Sequence, residues 1–295
     1  MRPIPAPRTP DATPMPDGDS RDWVTHPGPE QPERYALIPC HARRASLHLK
    51  AGMTLLSAIG TEVGAAGADG ACAILDGVAF SDMHYVMPDG PADDAHAAWY
   101  SETHVMQDVT LDRATASVGV RDGAWFLHTH AIWGGDTPAM GHLLNDRCVL
   151  ARDCTVDVWL LTGARLEVEQ DPETNFPLFQ PRICAEQAQP NAALLTVRPH
   201  EDLHTALESA CTDAGIRDAQ VHGLGSLIGA GFAGSPPMSS PLSEVLLLAG
   251  CRVRDGRCLE LPLVCVDPTG LIYEGDLVRQ KGPVLVTFEM LLVSD

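Results

Sequence analysis

Apolar positions along this chain recur at two spacings, and the change from one to the other marks its elements. Leu55, Ile59 and Val63 repeat at i, i+4 and i+8, and Leu203, Leu207 and Cys211 do the same later in the chain. That spacing draws one apolar stripe along a helix and suits it to lie on a sheet. Thr54 and Asp202 stand just ahead of the two stripes, where a side-chain oxygen can accept from a first-turn N–H. Gly67 and Gly215 stand where left-handed backbone would end each helix. Elsewhere the apolar positions alternate or form runs of strand length. These are ACAILDGVAF, QDVTLDRATASVGV, AWFLHTHAIW and CTVDVWLL, then DAQVHGLGSLIG, EVLLLAGCRV, CLELPLVCV, GLIYEGDLV and PVLVTFEMLL. The turns Arg121-Asp122-Gly123 and Arg254-Asp255-Gly256 predict antiparallel hairpins between them.

The two helix patterns belong to a longer self-similarity. The segment from Leu49 aligns without a gap on the segment from Val197, with identities at Leu55/Leu203, Ala58/Ala206, Ala66/Ala214, Gly67/Gly215, Ala71/Ala219 and Gly77/Gly225. The expected fold class is therefore α+β, one helix packed on a mostly antiparallel sheet, twice. The expected organisation is a disordered Pro-rich tail (1–33), a first domain (34–165), a linker (166–192) that packs partly through Phe176, Leu178 and Phe179, and a second domain (193–295). Residues 87–104 and 234–244 are rich in Pro, Gly, Ser and Asp and read as irregular surface in corresponding places.

Composition narrows the picture. At 45% hydrophobic residues the 295-residue chain can build real cores. It contains no apolar run of about 18 residues, so no membrane span is expected. The opening MRPIPAPRTP lacks the apolar stretch of a signal peptide. Nine cysteines, odd in number and without a C-x-x-C, point to free thiols and a reduced, cytoplasmic protein. A net charge of −19 disfavours nucleic acid as a partner, since phosphate contacts need a basic patch.

The candidate chemistry lies in WFLHTHAIWGGDTPAMGHLL. Side chains at i and i+2 of a strand leave the same face, so His128 and His130 would aim at one point and His142 could return to join them. Three imidazoles with an open fourth position form the ligand set of catalytic zinc. Chance alone supplies roughly half a His-x-His pair in a chain with this many histidines, so satisfied surface histidines are the competing reading. The flanking apolar stretch and Gly-rich turn favour the metal. Such a centre would activate a water or polarise a substrate carbonyl or carboxylate. Glu102 and His104 are the candidate acid–base partners, with Asp82 and His84 as second choices, and Arg147 is the candidate for pairing with a substrate carboxylate. The loop His222–Gly229 has its third Gly one position late for a dinucleotide fingerprint and reads as a turn.

The segments RPHEDLHTALESACTDAGIRDAQVHGLGSL, EVLLLAGCRVRDGR, DPTGLIYEGDLV and VLVTFEMLLV together resemble the plant-and-prokaryote-conserved (PPC) domain. The resemblance covers nearly all of 193–295 and, more loosely, 45–161. It implies an α+β fold, assembly as a homotrimer and, as in bacterial members, a His-x-His…Gly-Gly-His metal site five and seven residues beyond the hairpin Gly. Counting from Gly123 reaches His128 and His130, with Gly141-His142 as the third step. Counting from Gly256 reaches Leu261 and Leu263, with Asp276 at the third place, so the second copy is expected to lack the metal. The arrangement is also similar to the zinc site of acetolactate decarboxylase. The implied function is a zinc-dependent hydrolase, lyase or isomerase acting through the first domain on a small carboxylated or oxygen-rich molecule. The rival is a non-catalytic module that binds a small-molecule ligand or regulates. The DNA-binding role of plant members is opposed by the charge and by the lack of an Arg-Gly-Arg-Pro core.

Overall fold

The two apolar stripes fold as helices α1 (Leu55–Ala65) and α2 (Leu203–Ala214) in a computed structural model that describes residues 18–91 and 93–295. Thr54 accepts from the Ser57 N–H and Asp202 from the Thr205 N–H, closing each N-terminus. Gly215 ends α2 at φ 67°, in the left-handed region. Leu55, Ile59 and Val63 are buried from α1, and Leu203, Leu207 and Cys211 from α2.

These helices hold 11 and 12 residues, and strands dominate the rest. Strand accounts for 52% of the structure and helix for 10%, so the fold is mostly antiparallel β and not the α+β class expected from sequence. The reason lies in segments read as loop or linker. Pro88–Asp89 pairs with Trp99–Tyr100, and Ala164–Gln170 pairs with Pro177–Ile183, so irregular-looking sequence adds strands. The Asp171–Asn175 turn of the second hairpin is held by Asp171 Oδ1, which accepts from the Glu173 and Thr174 N–H groups. Phe176 and Phe179 are buried and Leu178 is half-buried.

The long first strand, Tyr35–Leu49, belongs to both halves of the chain. Tyr35 to Cys40 pair with Ala192–Val197, and His41 to Leu49 pair with Cys154–Thr162. Where the strand leaves one neighbour for the other, the Asn191 side chain accepts from the Ala42 N–H and donates to the Ala42 carbonyl. It thereby satisfies backbone groups that the change of partner would otherwise strand.

From that strand outward the first half runs Cys154–Thr162, Gly70–Ile74, His104–Arg121, Ala124–Trp133 and Ala139–Leu143, all antiparallel. The second half runs Ala192–Val197, Val284–Ser294, Ala219–Leu227, Glu244–Leu247, Pro262–Val266 and Ile272–Leu277 in the same order. The two sheets meet face to face: Leu224, Leu246, Val264 and Val266 of the second half share a core with Leu127, Ala131 and Trp133 of the first. This contact, together with the Ala164–Gln170 and Pro177–Ile183 hairpin that covers Gly119, buries Ala114–Val120 at every position, whereas the start of the same strand alternates.

Residues 1–17 of the Pro-rich tail lie outside the described residues. From Gly18 on, the segment expected as a tail lies on the protein. Ser20–Trp23 forms a 3-10 turn, Val24 and His26 are buried, and the His26 Nε2–H donates to the Leu285 carbonyl at 2.7 Å. All nine cysteines are free. No helix of the described residues is long and apolar enough to cross a membrane.

Candidate metal centre

The strand Ala124–Trp133 lies between His104–Arg121 and Ala139–Leu143, which places His130 directly opposite His142. His128, two residues earlier, shares their face. The ring centroids of His128 lie 4.7 Å from His130 and 4.8 Å from His142. The sheet of the second half closes over this face and brings Glu244 with it, its Oε2 2.7 Å from His130 Nε2. One ligand atom from each of His128, His130, His142 and Glu244 falls within 4.8 Å of all the others. Among the described residues no other group of three or more such side chains converges in this way.

Neighbours fix two of the rings. His128 Nδ1 lies 2.9 Å from Glu289 Oε1, and His130 Nδ1 lies 2.7 Å from the Val245 carbonyl. A carbonyl only accepts, so His130 carries its hydrogen on Nδ1 and turns Nε2 inward. Histidines that ligate metals are held in this way, by an acceptor on the ring nitrogen away from the metal. The two Nε2 atoms face each other at 3.0 Å.

Burial presses His128 down to about 3, with the neighbouring His130 adding to the effect, and presses His142 well below the ordinary range. Burial also works against charge on His130, but the Glu244 carboxylate, the Val245 carbonyl and Glu289 together outweigh it and raise that imidazole. Burial raises Glu244 in turn, and the three imidazoles more than reverse it. Glu289, buried among apolar strands, is pushed up to about 8, with Ser117 and His130 opposing the shift.

Two agents could satisfy such a cluster. A proton on His130 Nε2 serves Glu244 at 2.7 Å and His128 at 3.0 Å but leaves His142, whose buried Nδ1 has no hydrogen-bond partner. A cation at the centre meets all four donors at once. Three imidazoles and one carboxylate suit a divalent transition metal, so the cluster could hold a metal ion. The fourth position, expected open from the histidines alone, has Glu244 beside it.

A cavity of about 210 Å³ adjoins the cluster. His128, His142, Glu244 and Glu289 form one end, and Trp99, Tyr100, Phe126, Phe176 and Phe179 form apolar walls with Arg121 among them. The Tyr100 ring lies 5.1 Å from that of His142. Glu102, His104 and Arg147 are not among the lining residues: Glu102 and Arg147 are exposed, and His104 stacks on Tyr85 at 5.1 Å. Asp82 and His84 are likewise outside the walls, on the strand Ala79–Val86. In the second half, Leu261 and Leu263 are buried core, and Asp276 Oδ1 accepts from the Leu261 N–H.

Sequence reasoning missed Glu244 and Glu289. Each is a lone carboxylate inside an apolar run, EVLLL and VTFEMLL, and that is itself a signal, because a carboxylate in a buried strand needs a partner.

No family profile and no curated protein matches the chain. Solved structures match about half of it. A metal-containing protein from Archaeoglobus fulgidus is 19% identical over 49% of this chain and 98% of its own, with a TM-score of 0.41. A plant- and prokaryote-conserved (PPC) protein from Pyrococcus horikoshii is 16% identical over 49% and 95%, with a TM-score of 0.33. A candidate DNA-binding protein from Ralstonia eutropha is 16% identical over 46% and 89%, with a TM-score of 0.34. These are partial likenesses of shape, and the chemistry of the site rests on its own residues.

Proposed function

We propose that His128, His130, His142 and Glu244 hold a zinc ion, and that the chain is a zinc-dependent enzyme acting on a small carboxylated or oxygen-rich molecule in a hydrolase, lyase or isomerase step. The observation that carries this reading is the convergence of four donors within 4.8 Å at the end of a cavity. Bound there, zinc would supply Lewis acidity to a substrate carbonyl or carboxylate. Glu289 and the Val245 carbonyl hold the His128 and His130 rings in place. Phe126 and Phe179 supply apolar walls, and Tyr100 and Glu289 line the cavity as groups able to give or take a proton. The halves are read as tandem PPC-like copies assembled as a homotrimer, the first supplying the histidines and the second Glu244. Light scattering on the purified chain checks the assembly.

One observation favours a second reading. Four protein donors can fill a zinc tetrahedron, which is the closed coordination of structural sites and would suit a binding or regulatory module. Elemental analysis of wild type and of a His128→Ala/His130→Ala variant tests the metal itself: about one zinc per chain, lost in the variant, is expected. The cobalt-substituted protein then separates the two readings. A change in its visible absorption on adding acetate reports an exchangeable position and supports the enzyme, and an unchanged spectrum supports the closed site. No metal in either protein after zinc is supplied overturns both.

A further inference from the structure

We propose that Arg121 is the anion anchor of the cavity and selects a small acid with a ring-sized apolar body, its carboxylate on Arg121 and an oxygen group at its far end. This rests on the metal-centre reading for what the far end meets, and on Arg121 alone for the acid end.

The register places the anchor. Ser117 pairs with His128, Gly119 with Phe126 and Arg121 with Ala124. Strand alternation therefore puts Arg121, Phe126 and His128 on one face, with Arg121 four positions along the strands from His128, about 13 Å of backbone. The Arg121 guanidinium carbon stands 5.7 Å from the Phe126 ring centroid, and that ring is a wall of the cavity.

Its hydrogen-bonding capacity is unspent. Its one carboxylate neighbour is Asp122 at 3.9 Å, whose side chain is 96% exposed, and no hydrogen bond to the guanidinium is made among the described residues. An exposed pair at that distance contributes little. A planar fork steered by an aromatic face and left without an acceptor suits bidentate capture of a carboxylate.

Charge sets the direction of the ligand. Among the described residues Arg121 is the only Arg or Lys lining the cavity, and Glu244 and Glu289 line its cluster end. A carboxylate is drawn to Arg121, which leaves the other end of the ligand to the metal centre. Between the ends Phe126 and Phe179 stand edge to face at 5.6 Å, so the middle of the cavity is apolar.

The test is calorimetry on the zinc-supplied full chain with 4-hydroxyphenylacetate, and with p-cresol, which lacks the acid. Wild type should bind 4-hydroxyphenylacetate more tightly than p-cresol. Arg121→Gln should weaken it by about tenfold or more and leave p-cresol unchanged, while Arg121→Lys falls between. Arg121 is half exposed, and an unchanged melting temperature confirms that the variants fold. Equal binding by wild type and Arg121→Gln, equal binding of p-cresol, or no binding at millimolar concentration overturns the proposal. Zinc measured in the same samples keeps failure of the metal centre separate: an Arg121 effect without zinc supports the anchor while removing the metal reading.

Discussion

His128 and Glu289 stand 161 residues apart in the chain and meet at 2.9 Å, Nδ1 to Oε1, across the contact between its two halves. The first half supplies the ring and the second half the group that orients it. Removing that carboxylate should weaken zinc binding by about 10- to 100-fold, the usual cost of losing such a partner. Glu289→Ala should show this loss in a chelator competition titration, and Glu289→Gln, which keeps an acceptor, should retain most of the affinity.

Because three donors come from one half and Glu244 from the other, the metal should act as a clamp between them. Zinc at about 100 times its Kd contributes roughly 2.7 kcal/mol to the folded state. Stripping it with a chelator should lower the melting temperature by roughly 5–10 °C for a chain of this size. Glu244→Ala should shrink that difference, as read by scanning calorimetry with and without zinc.

His26 makes stability depend on pH away from the metal centre. Burial holds its imidazole below the ordinary value, and its Nδ1 is buried without a partner. The Leu285 carbonyl faces Nε2, while His200, Glu173 and Asp171 act on the ring from outside. Since the folded value lies below the unfolded one, this contribution is complete above about pH 6.5 and is lost as the pH falls below it. Urea unfolding at pH 7.5 and 5.5 should show a smaller acid loss in His26→Gln than in wild type.

Gly119 tests the packing behind the cavity. A Cβ there would stand 2.2 Å from the Leu166 carbonyl oxygen and 2.8 Å from the Phe179 ring. Gly119→Ala should therefore destabilise the fold by about 1–3 kcal/mol through overpacking. Because Phe179 lines the cavity, ligand affinity should fall alongside the urea midpoint.

Much of this is legible in the chain itself. The caps at Thr54 and Asp202 and the strand AWFLHTHAIW follow from local spacing, because a helix or strand is decided by neighbours a few residues away. The convergence of His128 and His130 on one face follows from the two-residue period of a strand. The fold class does not follow in the same way, because Pro-rich segments such as Pro177–Ile183 carry little alternation of their own and become strands by pairing with Ala164–Gln170.

Local period determines which side chains share a face, and it aligns His128 and His130, with His142 one turn further on, without help from anything distant in the chain. Which surfaces meet is decided by burial of apolar area between sheets whose strands lie more than a hundred residues apart, and that contact delivers Glu244 and Glu289 to the histidines.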